Sequence, residues 1–155
     1  MGTEIERKFL VKDDSWRTPD LIGTRFRQGY VAVGSPAAVR LRIAGDTAIL
    51  NIKSAVINIT RTEFEYPVPL DDAQQVLESV CAGRIVEKTR FRVEHSGLTW
   101  EIDVFEGANE GLVVAELELE SEDQPFEKPP WLGEEVSGDP RYLNTHLSQH
   151  PYTEW

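Results

Sequence analysis

Carboxylates and cations recur at every second position along this sequence, and each stretch is nearly uniform in sign. Glu4, Glu6 and Lys8 share one parity, while Ile5 and Phe9 take the other. Arg40 and Arg42 flank Leu41, Glu63 and Glu65 flank Phe64, and Lys88, Arg90 and Arg92 share one side of their segment. Glu101 and Asp103 oppose Trp100, Ile102 and Val104; Glu116, Glu118 and Glu120 oppose Ala115, Leu117 and Leu119. Grouped carboxylates are hard oxygen donors of the kind a divalent cation prefers. Grouped arginines and lysines suit phosphate oxygens, arginine as a planar fork and lysine as a point charge. Brought together, the two sets would hold a metal ion and a polyanion side by side.

Alternation with period two is the signature of β-strands. Strands are expected at Thr3–Val11, Arg25–Val33, Ala38–Ala44, Thr47–Ser54, Thr60–Val68, Ile85–Glu94, Leu98–Glu106 and Leu112–Glu120, with a brief one at Glu134–Val136. Gly45-Asp46 and His95-Ser96-Gly97 read as hairpin turns. A helical turn is expected near Asp13–Trp16. After Pro69 the period changes: Asp71 or Asp72 would cap a helix with Ala73, Val76, Leu77 and Val80 on one face and Gly83 as its stop. A second short helix is expected from Asp139-Pro140 through Tyr142, Leu143 and Leu147. The chain thus reads as mainly β with a few helices, in one domain over residues 1–155.

A solvated charged face explains any one of these strands. It explains the whole set less well, because like charges along one face repel. Such segregation is favourable where a bound cation offsets the acids and a bound polyanion offsets the bases. The expected architecture is therefore a closed antiparallel barrel lined with charge, inside-out relative to an ordinary barrel, with helices over its apolar exterior. The 155 residues carry 16 basic and 27 acidic side chains, a net charge of −11, which disfavours a nucleic-acid surface. One cysteine excludes an intrachain disulfide. The charged N-terminus and the lack of a long apolar run point to a soluble cytoplasmic protein without membrane contact.

Glu4-Ile5-Glu6-Arg7-Lys8 resembles the ExExK signature of the CYTH, or triphosphate tunnel metalloenzyme, superfamily. The resemblance spans nearly the whole chain. Gln28-Gly29-Tyr30, Arg40-Leu41-Arg42, Lys53, Glu63 with Glu65, Lys88-Thr89-Arg90, Glu101-Ile102-Asp103, Glu116-Leu117-Glu118 and Tyr142-Leu143-Asn144 follow in the family's order. ExExK alone is a weak signal in a charged protein; the ordered series with consistent parity is strong.

The resemblance implies an eight-stranded antiparallel β-barrel tunnel using Mg2+ or Mn2+ on a small triphosphate. It implies Glu4, Glu6, Glu116 and Glu118 as metal ligands, with Glu120 and Asp103 as further candidates. The likeness and the charge logic give Lys8, Arg40, Arg42, Lys53, Lys88 and Arg90 as the phosphate cradle. Lys8, Glu63, Glu65, Glu101 and Asp103 are the candidates for orienting or deprotonating water, with Glu63 and Glu65 equally candidates for pairing with arginine and lysine to hold the cradle in position. Arg92 would lie farther along its strand, Arg61 at a rim, and Arg25 and Arg27 on an undecided face. His95, His146 and His150 lack metal-ligand spacing, and Cys81 reads as packed. The expected activity is hydrolysis of tripolyphosphate or a related triphosphate such as thiamine triphosphate, by a monomer or homodimer. The alternatives are a class IV-type adenylyl cyclase, which would also need an adenine pocket, and a non-catalytic polyphosphate- or nucleotide-binding module.

Overall fold

The structure is a computed structural model that describes residues 2–56, 58–81 and 85–155. Strands β1 (Gly2–Val11), β2 (Thr24–Ala32), β3 (Ala37–Ala44), β4 (Thr47–Ser54) and β5 (Thr60–Val68) precede helix α1 (Leu70–Ser79). Strands β6 (Ile85–His95), β7 (Leu98–Phe105), β8 (Val113–Glu118) and β9 (Leu132–Glu135) follow, and helix α2 (Asn144–Gln149) comes near the end. Neighbours run β5-β4-β3-β2-β6-β7-β8-β1, and β1 pairs back onto β5, so eight antiparallel strands close into a barrel. Strand β9 adds to β1 beyond the reach of β5, opposite Phe9 and Val11.

Closure leaves no long free edge and gives every strand an inner and an outer face. The hairpins form where expected: Gly45 has φ +62°, and Ser96 and Gly97 have φ +51° and +80°, the left-handed pair that a tight two-residue turn requires. On the outer wall of β1, β6, β7 and β8, Phe9, Phe91, Trp100, Ile102, Ala115 and Leu117 form a core with Trp16, Trp131 and Leu132. This half is covered by the loop after β1 and the chain between β8 and β9, and the few helices cover the rest. Trp100 packs edge-on to Phe9, Phe126 and Trp131 at 5.6–5.8 Å between ring centres. Helix α1 covers the other half through Ala73, Leu77 and the adjoining Cys81, against Leu41 and Ala48. Gly29 lets it approach: a Cβ there would lie 2.7 Å from Cys81 Cβ and 2.8 Å from Leu77 Cδ2.

Three local readings change. No helix forms at Asp13–Trp16; Asp13 instead accepts from the Ser15 amide and hydroxyl in a turn. Helix α1 starts after Pro69 with Asp71 and Asp72 inside its first turn, where acids favour the helix dipole without capping it. Gly83, expected to stop it, lies outside the described residues. The tail helix is interrupted: a 3-10 turn at Pro140–Tyr142, capped by Asp139, precedes α2 with extended Leu143 between them.

Candidate active site

Inside the barrel lies a cavity of about 260 Å³ lined mostly by charged side chains. Strand β1 contributes Glu4, Glu6 and Lys8, β3 Arg40 and Arg42, β4 Asn51 and Lys53, and β5 Arg61, Glu63 and Glu65. Strand β6 adds Lys88, Arg90 and Arg92, β7 Glu101, and β8 Glu116 and Glu118. The parity reading therefore gathers distant residues: Glu6 stands in register with Glu118, and Glu116 with both Lys8 and Glu101. Exposure runs from 66% at Arg92 and 39% at Glu65 to 2% at Lys88, which marks an open mouth and a deep end.

The deep end is closed by the tail. Leu143, Asn144 and Thr145 line the cavity. Lys8 donates from Nζ to the Tyr142 carbonyl at 3.1 Å, and Lys88 Nζ lies 3.4 Å from Asn144 Oδ1. Below them Leu147 packs with Val86, Phe105, Leu112 and Val114. The last residues clip onto the loop after β7, where buried Asn109 accepts from the Tyr152 amide.

The cations divide by partner. Lys53 lies 3.1 Å from both Glu4 and Glu63; burial acts to lower its pKa, but Glu4, Glu6 and Glu63 outweigh that and raise it. Arg90 forks onto Asp103 at 2.7 and 2.9 Å and reaches Glu116 at 3.1 Å, which stabilises its charged form strongly against burial. Lys88 sits 2.7 Å from Asp103, and burial pulls its ammonium down to about 8. Arg42 is pulled down to about 10 by burial, then by Arg40 and Arg90. Phe26, on the strand between those of Arg42 and Arg90, has its ring centre 4.8 and 5.0 Å from their guanidinium carbons, within reach of cation–π attraction to both.

The acids are crowded. Burial, countered by Lys53, raises Glu4 to about 7, and it shares a hydrogen bond with Glu63. Burial and then Glu116 and Glu4 push Glu6 well above the usual carboxylate range. Burial acts against ionised Glu116, but Lys8, the hydrogen bond from Glu6, Arg90 and Lys88 hold it well below that range. Glu118 is raised by burial and by Glu101, Glu63 and Glu65. The cavity thus keeps its carboxylates together by sharing protons, a role that a divalent cation also fills. The donor set fits such an ion, being all hard oxygen. Among the described residues no three acidic, histidine or cysteine side chains already surround one point, so a bound ion would draw the rest of its shell from water or ligand oxygens.

Two expectations need correction. Asp103 is only 1% exposed and does not line the cavity as expected; its oxygens pair with Lys88 and Arg90, so it holds those two cations in place. Glu120 lies beyond the last β8 residue, is exposed, and is absent from the lining, because the strand ends before its parity can carry it inward. Arg25 turns outward to Glu87 and Glu106. Sequence reasoning missed Phe26 and Asn51 as lining residues. Asn51 shares the inward parity of Lys53, a signal the sequence carries; Phe26 has the parity opposite to Arg25 and Arg27, and only its register with Lys88 across the ladder marks it as inward.

A closed antiparallel barrel with acids and bases converging on an interior shut at one end and open at the other defines a tunnel-type site for a metal-bound polyanion. The CYTH domain model matches residues 2–145, and the chain belongs to the CYTH family, whose triphosphatases are in general metal-dependent. It is 44% identical to an inorganic triphosphatase of Acetivibrio thermocellus, over 98% of this chain and 97% of that protein. It is 39% identical to an inorganic triphosphatase of Nitrosomonas europaea, over 94% and 97% respectively. The crystal structure of an inorganic triphosphatase superposes with a TM-score of 0.70 at 37% identity, covering 96% of each chain. Among the described residues no helix is long and apolar enough to cross a membrane.

Proposed function

We propose that this protein is an inorganic triphosphatase that hydrolyses a terminal phosphoanhydride bond of tripolyphosphate, with Mg2+ or Mn2+. The observation that carries the reading is the convergence of Glu4, Glu6, Glu116 and Glu118 with Lys8, Arg40, Arg42, Lys53, Lys88 and Arg90 around one cavity. Near full-length similarity to two inorganic triphosphatases supports it.

Glu4, Glu6, Glu116 and Glu118 would hold the metal, which when bound neutralises phosphate charge and acts as a Lewis acid. Arg40 and Arg42 fork onto phosphate oxygens, while Lys8, Lys53 and Lys88 supply point charges. Tripolyphosphate carries about four to five negative charges, so several fixed cations must replace its water shell. These groups are positioned before reaction, and stabilise the charge that moves onto the leaving phosphate without reorganising. Glu63, Glu65 and Glu101 remain as groups able to orient the attacking water. Glu63 is held ionised, since burial is outweighed by the hydrogen bond from Glu4 and by Lys53, with its carboxylate lowered to about 2; that favours orienting water over accepting its proton.

The test is release of phosphate by purified protein from tripolyphosphate, ATP and thiamine triphosphate with each metal. Turnover of tripolyphosphate above the other two is expected. Cyclic AMP from ATP would move the protein to the cyclase class, and tight binding without turnover would make it a receptor.

A further inference from the structure

The motif reading leaves two cavity cations without a task, Arg61 and Arg92; Arg92 pairs with Glu101 at the mouth, whereas Arg61 does not pair with an acid among the described residues. It faces inward with Glu63 and Glu65 and lines the cavity, and it stands directly across the ladder from Glu4. Glu4 nevertheless goes to Lys53, and among the described residues no carboxylate forms an ion pair with Arg61. Its Nε is buried without an acceptor. Exposed arginines elsewhere do better: Arg7 forks onto Glu135 and Arg141 onto Asp139, both in water-facing settings. A guanidinium N–H left dry and unpaired is costly, the more so in a cavity rich in carboxylates that could have turned toward it. Arg40 has the same unmet Nε. The two lie on β3 and β5, with Lys53 on the intervening β4, so three cations stand on successive strands with two forks still open.

We propose that Arg61 is a further substrate-binding residue, donating to the non-bridging oxygens of a linear polyphosphate beside Lys53 and Arg40. Among the described residues none supplies the acceptor for Nε, and an anionic ligand in the cavity would. Its charge must be negative and its oxygens paired at one centre to match the fork, as in a phosphoryl group. This assignment rests on the triphosphatase reading for the identity of the anion, and adds to it a residue that binds without touching the metal carboxylates.

Calorimetric titration of tripolyphosphate in EDTA, into wild type, Arg61→Gln and Arg61→Lys, tests it with no hydrolysis under way. Arg61→Gln is expected to weaken binding by about tenfold or more, and Arg61→Lys to recover only part, because lysine restores charge without the fork. With metal restored, KM should rise by more than kcat falls. Binding by Arg61→Gln within about twofold of wild type overturns the proposal. If Arg61→Gln does not fold, Arg61→Lys decides: severalfold weaker binding supports the proposal, and unchanged binding overturns it. Wild type that binds tripolyphosphate in EDTA yet releases no phosphate with metal sinks the hydrolytic reading and leaves the Arg61 result standing.

Discussion

The inward positions of four strands change character within two residues. Lys8 is followed by Leu10, Lys88 preceded by Val86, Asp103 followed by Phe105, and Glu116 preceded by Val114. One set lines or supports the charged cavity; the other packs around Leu147 as an apolar floor. Both sets point into the same barrel, so facing inward does not by itself make a site. What separates them is the tail, which fills one end with hydrocarbon and leaves the other to ions. Upper positions should therefore govern chemistry, and lower ones stability.

The largest effect expected is on the acids. Metal removal by EDTA should abolish phosphate release, and Glu6→Ala or Glu118→Ala should lower kcat/KM on the order of 10²-fold or more. Arg92→Ala, at the exposed mouth, should cost less than about fivefold. A loss at Arg92 as large as at Glu6 would erase the distinction between mouth and centre.

Leu147→Ala probes the floor. It should cost about 2–5 kcal/mol in chemical denaturation, with the phosphatase parameters of the folded fraction little changed. Gly29→Ala probes the outer wall, where the added methyl meets Cys81 and Leu77; about 1–3 kcal/mol of stability should be lost. Lys88→Met turns one ionic position apolar. Asp103 keeps its fork from Arg90, so the melting temperature should move little while KM for tripolyphosphate rises about tenfold.

The smallest effect lies at the surface clasp between Arg7 and Glu135. Arg7 holds the Glu135 carboxyl below its ordinary value, so the pair stabilises the fold above pH 4.5 and the gain is lost as pH falls through the lowered folded value. Both groups are partly solvated, and the contribution is about 0.5 kcal/mol. The difference in melting temperature between wild type and Glu135→Gln should be present at pH 7 and vanish in acid.

Parity in the sequence was enough to bring Glu6, Glu118, Arg42 and Arg90 to one interior, because a two-residue period assigns faces without reference to neighbours. Strands β4 and β5 begin and end where the pattern says. Parity failed at Glu120, where the strand stops, and at Asp103, where the face was right and the partners were not visible. Lys88 and Arg90 consume that carboxylate only because β6 lies beside β7 in this register.

The sequence by itself determined which side chains face inward, that acids and bases segregate by strand, and where most hairpins turn, since each depends on local spacing and backbone freedom. Only the tertiary structure decided which cations are committed to carboxylates, that Phe26 lies against both Arg42 and Arg90, and that Arg61 stands unmet among the described residues. Those are matters of distance between residues far apart in the chain. Distance is set by closure and stagger of the whole barrel, which no local pattern encodes.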